Sequence, residues 1–148
     1  MCKDLVRITH FRDAIASTCQ GKVVVDVGAG TGLLTFYAVE TGAKVVYAIE
    51  QAVIATTIKK EITRRGLTES VKLFNCLAEE APLENIAADV IVSEWMGYFL
   101  LFERMLPTVL HIRDKSLRPG GVMIPSRANI LIAAALIPDL SIIPVQDK

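Results

Sequence analysis

The hydrophobic positions fall into short Val- and Ile-rich runs separated by longer stretches of mixed polarity. The runs at 22–27, 45–49, 70–74, 88–93 and 122–124 have the length and β-branched content of strands buried on both faces. Between them, 33–41, 51–65 and 101–117 read as helices. In 51–65, Ile54, Ile58 and Ile62 recur every four residues, Lys59, Lys60, Arg64 and Arg65 fall outside that stripe as a solvated face, and Gly66 stops the turn. The stretch 101–117 offers Leu106, Val109, Leu110 and Leu117 to a core and ends at Arg118-Pro119-Gly120-Gly121. Strands alternating with helices predict an α/β fold, a doubly wound and mainly parallel sheet covered on both faces. Residues 1–20 form a lead-in in which Thr9 caps a short helix carrying Phe11, Ala14 and Ile15, 21–148 form the main body, and the chain is a single domain overall. A last apolar strand is expected at 128–137, an exposed edge suited to self-association.

Composition narrows the function classes. The 16 basic and 16 acidic residues cancel, which removes the field expected of a nucleic-acid or anionic-membrane binder. Cys2, Cys19 and Cys76 are odd in number and widely spaced, with no C-x-x-C and no clustered His, so neither a disulfide framework nor a metal site is indicated. A reducing, cytoplasmic compartment is expected, with the nucleus left open. No apolar run reaches the roughly 18 residues of a membrane span, and the first residues lack a signal-peptide core. His10 and His111 have no partner at catalytic spacing and read as ordinary helix residues.

The first predicted strand runs into Gly28-Ala29-Gly30-Thr31-Gly32 and then a helix, the opening of a nucleotide-binding βαβ unit. Glu50 closes the second strand 20 residues beyond Gly30, the offset of a ribose-binding acid. The dinucleotide fingerprint G-x-G-x-x-G fails because position 33 is Leu. Asp26 stands two residues ahead of the first glycine, where a carboxylate repels a pyrophosphate but attracts, through water or backbone, the ammonium of an amino-acid moiety. The ligand indicated is S-adenosylmethionine rather than a nicotinamide dinucleotide.

The second chemical feature is Ser93-Glu94-Trp95-Met96-Gly97-Tyr98-Phe99-Leu100-Leu101-Phe102-Glu103, two acids bracketing an apolar segment just after a predicted strand. Open α/β sheets bind ligands at such strand ends, and an acid pair there can grip a cation.

With Val25-Asp26-Val27 and the glycine loop, Ala48-Ile49-Glu50, the Ser93 to Tyr98 segment, Phe102-Glu103-Arg104-Met105-Leu106, Arg113-Asp114-Lys115 and Pro119-Gly120-Gly121, the chain resembles the protein arginine methyltransferases. The resemblance runs from Met1-Cys2-Lys3-Asp4-Leu5-Val6-Arg7 to about Ala134, with departures at Cys2, Ile8 and Ser116. It implies a Rossmann-like class I S-adenosylmethionine-dependent methyltransferase whose product is S-adenosylhomocysteine. It implies that Asp26, Gly28, Gly30 and Gly32 cradle the methionine part, that Arg7 pairs with its carboxylate, that Glu50 holds the ribose and that Glu79 lies near the adenine amino group. Glu94 and Glu103 are then the catalytic acids on a substrate guanidinium or other nitrogen cation, in a pocket shaped by Trp95, Met96, Tyr98 and Met105. The family's chain also carries a β-barrel domain, a dimerisation arm and an earlier N-terminal helix that these residues do not match. The readings that follow are a compact enzyme completed by self-association, a cofactor-binding regulatory module, or a piece of a longer methyltransferase.

Overall fold

The computed structural model describes residues 4–134. Five strands, β1 (Val23–Val27), β2 (Val45–Ile49), β3 (Val71–Phe74), β4 (Ala88–Val92) and β5 (Leu117–Ile124), form one sheet in the order β3-β2-β1-β4-β5, every pair parallel. Each parallel step needs a crossover, supplied by α2 (Leu33–Glu40), α3 (Ala55–Arg64), a segment with a 3₁₀ turn at Ala78–Glu80, and α4 (Leu106–Ser116); α1 (Leu5–Thr18) precedes the sheet.

Alternate strand residues feed two cores, as the period of two demands. Val24, Val46, Val90 and Val92 face α1, α2 and α3, where Phe11, Ile15, Leu34, Phe36, Ile58 and Ile62 are buried. Val25, Val27, Ile49 and Ile91 face the other side, against Leu83, Val109 and Ile112. The expected doubly wound sheet is therefore present, and α1 packs against it through Phe11 and Ile15. Asp26 pairs with Val92 across β1 and β4, so the loops leaving these strands emerge side by side where the strand order reverses. Crevices at that reversal are the ligand sites of such sheets.

Several boundaries differ from the sequence reading. Thr9 is not a cap: Asp4 starts α1, its Oδ1 accepting the Arg7 backbone N–H at 3.0 Å. The helix expected over 101–117 begins at Leu106, because Pro107 lacks an N–H and fits only a first turn. Residues 97–104 instead fold into turns, with left-handed backbone at Phe99, Leu100 and Arg104. α3 likewise starts at Ala55, leaving Ile54 exposed, and Arg65 is more than a solvated charge, its guanidinium lying 4.4 Å from the centre of the Phe36 ring. Arg118-Pro119-Gly120-Gly121 does not simply stop α4; it forms a bulge within β5, which pairs Leu117 with Ala88 but Val122 with Val90. Residues 128–134 form no strand, and the rest of the 128–137 segment lies outside the described residues. Ile130, Leu131 and Ile132 are exposed. Among the described residues no helix is long and apolar enough to cross a membrane.

Candidate functional site

The glycine loop hangs on the end of β2: the N–H groups of Gly28 and Ala29 both donate to the Ile49 carbonyl, at 2.9 and 3.0 Å. Gly28 has φ +74°, backbone that L side chains rarely adopt, and a Cβ there would run into the end of Met105. Glu50 clamps the loop from the other side. Its Oε2 accepts the Gly30 N–H and its Oε1 the Ala52 N–H, both at 2.8 Å.

Asp26 lies beneath this loop, 1% exposed, with Oδ2 accepting Thr35 Oγ1 at 2.6 Å. Burial raises its carboxyl from the ordinary 3.8 to about 6, opposed by the Thr35 hydrogen bonds. Contact with a ligand from this depth passes through backbone or water. Sequence reading missed Thr35; the one signal was a hydroxyl in the otherwise apolar first turn of the helix after the glycine loop.

A cleft of about 450 Å³ opens beside Gly28 and Glu50 and runs over Leu77 to Glu79 and Thr108. That volume is in the range of small-molecule sites. Glu79 Oε1 accepts Thr108 Oγ1 at 2.7 Å, a bond that lowers its carboxyl below the usual glutamate value. Cys76, Glu103 and Met105 also line the cleft.

Glu94 follows the C-terminal end of β4. Just before it, the buried Ser93 hydroxyl donates to the Val27 carbonyl at 2.8 Å and ties the acid-bearing loop to the glycine loop. Glu94 Oε1 accepts Arg7 Nη1 at 2.8 Å, and Arg7 Nε lies 3.2 Å from Asp4 Oδ2. Burial raises the Glu94 carboxyl; the Arg7 charge and hydrogen bond oppose this, and the Glu103 charge adds to it.

The cleft thus gathers Gly28, Glu50, Glu79, Glu103 and Met105 but does not border Arg7, Asp26, Gly30, Gly32 or Glu94. Arg7 and Met96 line a neighbouring groove of about 530 Å³ with His10, Phe11 and Arg127. Trp95, expected in the pocket wall, is 6% exposed and packed in the core on the α4 side of the sheet, where an indole removes the most apolar surface from water. Tyr98 is exposed on the acid loop and does not line the cleft. Arg7 was expected on a ligand carboxylate; here its partners are Asp4 and Glu94.

A family model described as ribosomal protein L11 methyltransferase (PrmA) matches residues 13–127, and the chain belongs to the methyltransferase family that this model describes. The chain is 44% identical over 136 residues to a probable protein arginine N-methyltransferase 6.1 of Oryza sativa subsp. indica, covering 90% of this chain and 36% of that relative. The crystal structure of Arabidopsis thaliana protein arginine methyltransferase 10, in an open conformation, matches with a TM-score of 0.79 at 37% identity, over 84% of this chain and 36% of that one. The Trypanosoma brucei PRMT1 enzyme-prozyme heterotetrameric complex with AdoHcy matches at 0.78 and 38% identity, over 83% and 39%. Within the methyltransferases, the chain is similar to the protein arginine methyltransferases over most of its own length. It spans little more than a third of the length of the relatives it matches.

Proposed function

We propose that this chain carries the S-adenosylmethionine site and the acid loop of an arginine methyltransferase, and that its site directs a methyl group to a guanidinium nitrogen. The observation that carries the reading is the Ser93–Val27 hydrogen bond, which holds the loop bearing Glu94 against the glycine loop at the reversal of strand order.

The residues present fit the cofactor. Glu50 accepts two backbone N–H groups and retains lone pairs for hydroxyl donors, Leu77 and Ala78 offer apolar surface for a flat ring, and Glu79 adds a further acceptor to the lining. When bound, S-adenosylmethionine supplies an electrophilic methyl on a sulfonium.

A guanidinium is planar, rich in donors and protonated at ordinary pH, so its nitrogens are poor nucleophiles. Two carboxylates gripping it draw its positive charge towards the nitrogens they touch and leave the third richer in electrons. Fixing that nitrogen in near-attack geometry removes on the order of 7 to 11 kcal/mol of barrier. Glu94, its carboxyl raised by burial, is suited to take the proton that the methylated nitrogen gives up.

Free Cys19 and Cys76 support a reducing, cytoplasmic setting. The exposed Ile130, Leu131 and Ile132 support self-association, which sedimentation checks directly.

The decisive experiment incubates the chain with labelled S-adenosylmethionine and arginine-rich peptides, beside Glu94→Gln. Label transferred by the parent and abolished in the variant is expected. Binding of S-adenosylhomocysteine with no transfer identifies a cofactor-holding module. Absence of binding at millimolar concentration overturns the cofactor assignment.

A further inference from the structure

We infer that Gly97 is the positioning residue for Glu103: the missing side chain at 97 is what lets the second acid of the loop lie where it faces the cleft. This rests on the methyltransferase reading given above.

Among the described residues, no hydrogen bond or ion pair holds the Glu103 side chain, although Glu94, nine residues earlier, is held by Arg7. Packing does the holding instead. A Cβ built on Gly97 would lie 2.5 Å from Glu103 Cγ, 2.8 Å from Cδ and 3.0 Å from Cβ. The first two separations are closer than carbon atoms approach and the third is at the tight limit, and Cβ is not a far end that swings aside, so the backbone of Gly97 is the surface on which the Glu103 stem rests.

Conformational freedom does not explain this glycine. Gly97 is absent from the left-handed positions of the loop, whereas Phe99, Leu100 and Arg104 have φ of 47°, 64° and 57° despite their side chains. The chain places ordinary residues where backbone freedom is wanted and glycine where space is wanted. The Gly97 N–H donates to the Leu100 carbonyl at 3.2 Å, and Phe102 and Arg104 donate to Tyr98 and Leu101, so the loop is braced on itself. A methyl group at 97 therefore displaces Glu103 rather than the backbone beneath it.

Glu94 reports the position of Glu103 without any turnover, because the Glu103 charge is one of the influences raising the Glu94 carboxyl, while Arg7 acts against it. Carbon-13 NMR titration of the Glu94 carboxyl is run on the full chain, on Gly97→Ala, on Glu103→Gln and on the double variant. Gly97→Ala is expected to lower the Glu94 midpoint in the same direction as Glu103→Gln and to add nothing in the double variant. A Glu94 midpoint in Gly97→Ala equal to that of the parent overturns the proposal.

In transfer assays Gly97→Ala is expected to lower kcat on the order of a hundredfold, the cost of a misplacement near 1 Å. KM for S-adenosylmethionine and affinity for S-adenosylhomocysteine should hold at parent values, and an unchanged kcat also overturns the proposal. Failure of the parent chain to bind S-adenosylhomocysteine counts against the methyltransferase reading, while the NMR comparison still decides the role of Gly97.

Discussion

The Arg7 guanidinium and the Glu94 carboxylate are in direct contact, Nη1 to Oε1 at 2.8 Å, joining the first turn of α1 to the end of β4. A guanidinium from the chain itself therefore occupies an acid proposed to receive one from a substrate. The Arg7 side chain is 41% exposed and that of Glu94 19%, so the pair is accessible to competitors.

Competition is the first testable consequence. If the cofactor carboxylate draws Arg7 away, Arg7→Gln weakens S-adenosylhomocysteine by about tenfold, the loss of one charge-assisted hydrogen bond. The same variant binds methylguanidinium more tightly at Glu94. Calorimetric titration of both ligands should give opposite changes; parallel losses would sink the idea of a shared guanidinium site.

Asp26 sets a pH dependence. Its folded-state carboxyl, at about 6, stands above the ordinary 3.8, so the native state binds the extra proton and stability falls as pH rises between those values. The cost above that window is on the order of 3 kcal/mol. Denaturant melts of Asp26→Asn should show a flatter profile than the parent between about pH 4 and 6. A difference between the two proteins that is constant with pH contradicts the burial argument.

Glu50 anchors Gly30 and Ala52 as well as facing the cleft. Glu50→Ala is expected to lower the thermal midpoint and to weaken S-adenosylhomocysteine by about a hundredfold, two charged acceptor bonds to the ribose being worth roughly 3 kcal/mol. Equilibrium dialysis measures the second effect. Glu50→Gln keeps one acceptor and should fall between.

Ser93→Ala removes the buried link to Val27 and is expected to cost about 1 to 3 kcal/mol of stability. Methyl transfer should fall more than cofactor binding, because the bond aligns the acid loop and leaves Glu50 untouched. Equal losses in the two measurements indicate general loosening of the sheet ends instead.

The order of strands and helices, the two-faced sheet and the glycine loop were legible along the chain, whereas Glu50 was legible only as an acid at the ribose offset and not as the clamp on Gly30 and Ala52. Each depends on local rules: β-branched runs, four-residue spacing of Ile58 and Ile62, and a turn that only glycine enters without strain. Pro107 also held a legible signal, since a proline six residues into the expected helix argued for a later start.

Tertiary structure decided what the loops do. The Thr35 bond to Asp26, the Ser93 bond to Val27 and the Arg7 bond to Glu94 join residues 9, 66 and 87 positions apart, and no periodicity links such pairs. Trp95 and Glu94 are neighbours in sequence, yet one is core and the other faces Arg7. Their residue types were readable in the chain, but their directions were set only when β1 and β4 paired and brought the two loops together.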